Sequence, residues 1–257
     1  MIRRALTLTL SLSFLFCLQA SAQTVDELIK KNLDARGGVQ KIKAIKSLKI
    51  TAKVIQQGLE IPIIIQQKRP HMVRLDATFQ GKSQTMAYDG ESGWKTDPFQ
   101  GSPDPEKIAG DDLKEAEEQS DIDGSLVDYK EKGHTVELVG KEEMEGTPVY
   151  KLKLTLKNGD VRNIYLDAEN YLELKVTMKR KTPGGEIEVD QYVGNYKPVN
   201  GFLFPFSLES KVKGQTANQI TIEKIETDVA IDDSAFKMPV KPAEKPKIEE
   251  KKPPIHQ

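Results

Sequence analysis

Hydrophobic positions along the chain repeat with two periods, and the switch between them predicts where helix gives way to sheet. Near the start, Val25, Leu28, Ile29 and Leu33 fall on one helical face. Thr24, with Glu27 three residues on, forms a capping box, and Gly37-Gly38 supplies a stop. Val39, Ile42 and Ile45 predict a second short helical turn before Ser47. From Leu48 the period falls to two. Ile61, Ile63 and Ile65 share one strand face, with Ile64 on the other. Met72 to Phe79 and Gln84 to Tyr88 continue the meander. Tyr150, Leu152, Leu154 and Leu156 alternate with lysines, and the Asn158-Gly159 turn leads back into Ile164 and Leu166. Leu172, Leu174, Val176 and Met178 repeat the alternation. Pro183-Gly184-Gly185 turns the chain into Ile187 and Val189, and Phe202, Phe204, Phe206, then Ile220 and Ile222, complete the pattern.

The links are short, which favours antiparallel neighbours and predicts about ten to eleven strands. Asp104 to Ile122, with Ile108, Leu113 and Ala116 among many acids, reads as loops and a weak acidic helix inserted in the sheet. The expected fold class is α+β: one large antiparallel sheet with helices on one side.

Composition narrows the functional classes. The 257 residues carry 38 Lys and Arg against 39 Asp and Glu, a formal charge of −1. No net basic field is available for nucleic acid. No internal segment approaches the ~18 consecutive apolar residues of a membrane helix. The ends are set apart. Arg3 and Arg4, the apolar run Ala5 to Leu18 and the Ala20-Ser21-Ala22 site predict a signal peptide over residues 1–22, cleaved after Ala22. Cys17, the single cysteine, leaves with it, so no disulfide or thiol chemistry is expected. Residues 241–257 hold four prolines, five lysines and three glutamates, the composition of a disordered tail. One folded unit over 23–240 remains.

Familiar catalytic chemistry is missing. His71, His134 and His256 lie far apart, and no nucleophile elbow, P-loop or dinucleotide fingerprint occurs. The acidic pairs Asp111-Asp112, Asp121/Asp123 and Asp232-Asp233 read as solvated faces or caps. Asp121-Ile122-Asp123-Gly124 lacks the remaining ligands of a calcium loop. We therefore expect no catalytic residue, no metal and no cofactor; a hydrolase working through the acidic pairs is the enzymatic alternative. Alternation on many strands suits either a filled core or a partly open concave face lined by aliphatic side chains under a helical lid. Periodicity leaves both open.

Four stretches resemble the LolA/LolB superfamily of outer-membrane lipoprotein-sorting proteins. They are Leu33-Asp34-Ala35-Arg36-Gly37-Gly38 with Ile45-Lys46-Ser47; Gln67-Lys68-Arg69-Pro70 with Val73-Arg74-Leu75; Tyr88-Asp89-Gly90 with Gly93-Trp94 and Asp97-Pro98-Phe99; and Phe204-Pro205, Ile220 to Ile225 and Asp232-Asp233-Ser234-Ala235-Phe236 with Pro239. The resemblance spans residues 24–240. It implies an unclosed, strongly curved β-barrel with a helical lid, and a periplasmic carrier that shelters acyl chains of lipoproteins or other lipids on the way to the outer membrane. It further implies an inner-membrane donor, an outer-membrane acceptor and a monomer. A sensing or regulatory lipid-binding module on the same fold is the alternative. By the same resemblance Arg69 holds the lid. With Arg69, the expected ligand-facing residues are Ile61, Ile63, Ile65, Leu75, Trp94, Leu152, Leu154, Leu174, Val176, Phe204 and Phe206. Trp94 also reads as a plain core aromatic.

Overall fold

The structure, a computed structural model, describes residues 23–182 and 184–240. The expected signal peptide, the tail from 241 and Pro183 of the predicted turn lie outside the described residues.

The amphipathic opening forms helix α1, Val25–Ala35. The Thr24 N–H donates to Glu27 Oε2 at 2.9 Å, and the Glu27 N–H donates to Thr24 Oγ1 at 3.3 Å. Two donors that a helix start leaves orphaned are thus satisfied. Gly37, at φ 122°, ends the run; a Cβ there would lie 2.7 Å from the Gly201 carbonyl oxygen. Only glycine lets the helix end approach the turn opposite. Helix α2, Val39–Ala44, follows.

Six strands then form a meander: β1 Ser47–Gln56, β2 Leu59–Lys68, β3 Met72–Phe79, β4 Lys82–Tyr88, β5 Gly93–Asp97 and β6 Ser102–Lys107. Helix α3, Gly110–Gln119, and an irregular segment over 120–134 interrupt it. The second half contains β7 Thr135–Met144, β8 Thr147–Thr155, β9 Val161–Asp167, β10 Glu173–Thr182 and β11 Gly185–Gly194. It continues with β12 Lys197–Val199, β13 Phe202–Phe204, β14 Ser207–Val212 and β15 Gln215–Thr227.

Thirteen strands make one antiparallel sheet in the order β6-β5-β4-β3-β2-β1-β15-β14-β11-β10-β9-β8-β7, and β12 with β13 forms a small hairpin. The order is open: β6 and β7 end it without pairing to each other. The α+β class and curved sheet expected from periodicity, and the open edges the resemblance implies, are those found, but the strand count is higher. β6 was hidden by Pro103 and Pro105, which an edge strand tolerates because its outer N–H groups need no partner. In β7, a bulge between Leu138 and Gly140 breaks the period. The run Phe202, Phe204, Phe206 is no single strand either, since β13 stops at Phe204 and β14 starts at Ser207.

One helix shows that the sheet curls. α3 packs on β3 and β4, yet its Glu118 pairs with Arg162 of β9 and its Glu115 with Arg180 of β10. β4 and β9 are eight places apart in the sheet order. At ~4.8 Å per strand, a flat sheet would separate them by ~38 Å. A ten-residue helix is only ~15 Å long. Both halves must therefore bend toward α3, and the helices sit on the concave side.

Three apolar clusters fill that side. Leu28, Ile29 and Leu33 of α1 pack on Leu152, Leu154, Ile164, Leu166 and Val176 of β8, β9 and β10. Ile45, Leu48, Phe206 and Ile225 form a second cluster near the β1–β15 seam. Ala116 and Leu113 of α3 meet Val73, Tyr88 and Ile108 in the third.

The first cluster sets a stability test. Leu152 is wholly buried, so Leu152→Ala should lower the unfolding free energy by about 2–5 kcal/mol in urea titration. Val139 is 55% exposed, and Val139→Ala should change it by less than about 0.5 kcal/mol.

Candidate functional site

Between α3, the 120–134 segment and the inner faces of β9 to β11 lies a cavity of about 1010 Å³. That is at the upper end of the roughly 300–1,000 Å³ typical of ligand pockets. Its floor is apolar: Leu126, Leu156, Ile164, Val176, Met178 and Pro205. Its rim and roof are charged. Lys114, Glu117 and Glu118 project from α3, Asp121 and Lys132 from the following segment, and Arg162 from β9. The expectation of an aliphatic lining is thus met only on the floor. Inward-facing positions of β9 alternate correctly, but position 162 is an arginine rather than an aliphatic residue.

The roof is held differently on its two sides. Toward β3 and β4 the contact is apolar, through Ala116 and Leu113. Toward β9 and β10 it is ionic. Glu118 receives Arg162 and also Asn158 Nδ2 at 3.3 Å, Glu115 receives Arg180 Nη1 at 3.0 Å, and Asp111 lies 3.5 Å from Lys181. Lys95 of β5 adds a bond of 2.7 Å to Asp112. Gln67 of β2 donates to the Gln119 carbonyl at the C-terminal end of α3.

Arg69 follows β2 and ties three elements together. Its Nε donates to the Ile45 carbonyl at 2.6 Å and its Nη2 to the Ile42 carbonyl at 3.2 Å, both at the end of α2. Nη1 reaches Asp123 Oδ2 at 2.9 Å, and Nη2 also donates to Oδ1 of the same carboxylate. Such a planar fork satisfies both oxygens at once. Burial would raise the Asp123 carboxyl, but the Arg69 hydrogen bonds and charge, with Lys132 and Lys43 behind, hold it below the usual carboxylate value. The Arg69 guanidinium is correspondingly held more firmly protonated by Asp123.

The other residues singled out in the sequence fall in several places. Ile61, Ile63, Ile65 and Leu75 lie on the inner face of β2 and β3, where Ile65 pairs with Leu75 and packs into the α3 cluster. Leu152 and Leu154 are core residues under α1, and Phe204 and Phe206 belong to the second cluster. Trp94 is on the opposite face of the sheet, buried beneath the C-terminal segment, with its Nε1 donating to the Phe236 carbonyl at 2.8 Å. Of the residues expected to face the ligand, Val176 alone lines the cavity.

Leu174 is displaced by a bulge. Lys175 pairs with Tyr165, so a regular ladder would set Leu174 opposite inward-facing Leu166; instead Glu173 stands there. The bulge thereby places a carboxyl in the cavity wall where alternation predicts a leucine. Arg36 and Tyr196 line the same end. Burial pushes the Glu173 carboxyl up, against the opposing charges of Arg36 and Arg162. Burial also raises the Tyr196 phenol, aided by Glu173, and its O–H donates to the Glu173 main-chain carbonyl at 2.8 Å. Sequence reasoning missed all three, and only Arg36 lay in a stretch that had been singled out. His134, across the cavity, accepts the Lys157 N–H at Nδ1; burial, then the Lys132 charge, lowers its pKa and so favours the neutral ring. Among the described residues, no group of three or more His, Cys, Asp or Glu side chains could hold a metal ion, and no helix is long and apolar enough to cross a membrane.

No family model and no curated protein matches the chain. Solved structures do. A LolA superfamily protein from Nitrosomonas europaea superposes with a TM-score of 0.55 at 12% identity, over 84% of this chain and 98% of that one. A DUF1329 family protein from Desulfovibrio piger gives 0.56 at 13% identity, over 81% and 97%. An outer membrane lipoprotein-sorting protein domain from Vibrio parahaemolyticus gives 0.52 at 14% identity, over 81% and 97%. At such identities the likeness is one of fold, and it agrees with the open order and curl derived above: the chain has a LolA-like fold.

Proposed function

We propose that this protein is a periplasmic, non-enzymatic carrier that shelters acyl chains of lipoproteins or other lipids in the cavity beneath α3 for transfer to the outer membrane. The observation that carries this reading is the 1010 Å³ cavity with an apolar floor and a roof attached by ion pairs on one side. The LolA-like fold and the sorting-protein structure among its likenesses support the cargo class.

Magnitudes fit the task. Each buried CH₂ is worth ~0.8 kcal/mol, so a 16-carbon chain costs on the order of 12 kcal/mol to expose to water. An aqueous crossing therefore needs a shelter. The shelter must also open. Ion pairs as exposed as Glu115–Arg180 and Asp111–Lys181 contribute only about 0–1 kcal/mol each. A roof anchored by packing toward β3 and β4 and held by weak charges toward β9 and β10 can swing without unfolding. Closure of the empty state sets apparent affinity, because cargo must meet the cost of opening. An inner-membrane donor and an outer-membrane acceptor would drive direction, with no chemical step in this protein.

The mature protein should take up a fluorescent acyl probe at about one per chain, read by native mass spectrometry; a chain that stays empty would sink the carrier reading. In stopped-flow uptake, rising salt should speed loading, because it screens the ionic side of the roof. Glu118→Arg should speed it as well, and adding Arg162→Glu to that variant should restore the slower rate. Unchanged rates in all three would place the moving part elsewhere.

Arg69→Leu leaves a carboxylate that is largely buried without its partner. We expect a stability loss of about 1–3 kcal/mol, partly recovered by adding Asp123→Asn, together with faster probe release. Wild-type release from Arg69→Leu would remove this residue from the mechanism.

A further inference from the structure

Glu173 has no evident structural reason to be where it is. The bulge between Glu173 and Lys175 sets it opposite Leu166, on the inner face. Glu173 lines the cavity, and among the described residues its carboxyl makes no hydrogen bond and no ion pair within 4.0 Å. Tyr196 does not satisfy it, since that hydroxyl donates to the Glu173 main chain. A leucine or glutamine would pack there without the cost of desolvating a charge. Arg36, at the C-terminal cap of α1, lines the same end, likewise without a carboxylate partner within 4.0 Å. Arg162 is already held by Glu118. One carboxyl and one guanidinium, close enough to act on each other and on Tyr196, thus stand beside the apolar floor formed by Val176, Ile164 and Met178.

We infer that this end receives the headgroup of a zwitterionic amphiphile, its ammonium on Glu173 and its phosphate on Arg36, with the acyl chains lying along the apolar floor. The inference rests on the carrier reading and names its cargo class. The charge pattern selects it. A phosphate alone at Arg36 would face the carboxylate of Glu173. An ammonium alone at Glu173 would face the guanidinium of Arg36. A headgroup carrying both signs a few bonds apart satisfies both groups, and charge-assisted hydrogen bonds of this kind are the strong ones. The polar end also fixes orientation, which a uniform apolar trough cannot do.

Proton linkage gives an independent signature. Burial raises the free carboxyl while Arg36 and Arg162 oppose it, so the empty cavity holds Glu173 partly or fully protonated at a higher pH than an ordinary glutamate. Tyr196 is the remaining titratable group acting there, and it stays neutral. An arriving ammonium favours the carboxylate, so binding should release protons. An anionic lipid at the same place would favour the protonated carboxyl and take protons up. His134 stays neutral across the cavity and does not confound this readout above its lowered pKa.

The test uses the full mature chain and two lipids with the same acyl-linked fluorophore, one with an ethanolamine-phosphate head and one with a glycerol-phosphate head. Wild type should prefer the ethanolamine lipid about tenfold, the worth of one charge-assisted hydrogen bond, and Glu173→Gln should level the two. Calorimetry of wild type in two buffers of different ionisation enthalpy should show proton release with the ethanolamine lipid. Equal binding of both lipids by wild type, a preference surviving in Glu173→Gln, or proton uptake would each overturn the inference while leaving the carrier intact. Should Glu173→Gln fail to fold, the proton count on wild type decides. Failure of wild type to bind either lipid or the plain acyl probe would remove the carrier and this inference together.

Discussion

The structure depends on one constraint: a wide antiparallel sheet with an apolar inner face and an open order must find something to cover that face. The thirteen strands do not close on themselves, so no barrel does the covering. Curling brings the two halves within reach of short helices. Even so, α1, α2 and α3 are only 11, 6 and 10 residues long. They cover the inner face near β8 to β10 and near β3 and β4, and between these contacts a cavity remains. The cavity is thus a consequence of too little helix over too much sheet, and neither the helices nor the sheet has to be strained to make it.

The way each helix is attached then decides what can move. α1 buries Leu28, Ile29 and Leu33 against the inner residues of β8 to β10, a dry contact that is costly to break. α2 is fastened through its carbonyls to Arg69, and Arg69 to Asp123, so the end of α2 and the start of the 120–134 segment form one unit. α3 is the least committed. Its buried contact is small, centred on Ala116 and Leu113, and its sequence is mostly acidic. Basic side chains of β9 and β10 answer those acids. Because the side toward β3 and β4 rests mainly on packing, with the exposed Lys95–Asp112 pair beside it, and the other side on ion pairs, salt and charge should loosen the second more than the first.

Much of the scaffold was legible in the sequence, for a physical reason. Period-two alternation survives wherever a strand has one dry and one wetter face, as in β8, where Leu152 and Leu154 are buried between half-buried neighbours. The capping box at Thr24 and the glycine stop were local signals with local causes. What the sequence hid were departures from period. The bulge in β7 masked a strand, prolines masked an edge strand, and the bulge in β10 exchanged Leu174 for Glu173. A bulge is fixed by the partner strand, so the alternation of one strand cannot reveal it. For the same reason the aliphatic residues picked as ligand contacts largely pack as core, and Trp94 turned out to belong to the far face.

The charged groups of the cavity follow from the same departures. Arg162 is in register on β9, and its inward direction is forced by the alternation that buries Ile164 and Leu166. It needs a counter-charge, and α3 supplies Glu118. Glu173 is inward only because of the bulge, and among the described residues no such counter-charge stands within bonding distance. One half-buried cation is therefore answered within the protein, while one carboxyl and Arg36 are left facing open volume. An unpaired carboxyl in a half-buried wall, with its charged form disfavoured by desolvation, weakens the empty state. It is tolerable in a protein whose working state is the loaded one, because a complementary headgroup removes the penalty on binding. The part of the cavity that opposes stability when empty is then the part that can discriminate among cargoes, whereas the apolar floor, indifferent to the headgroup, supplies the bulk of the affinity.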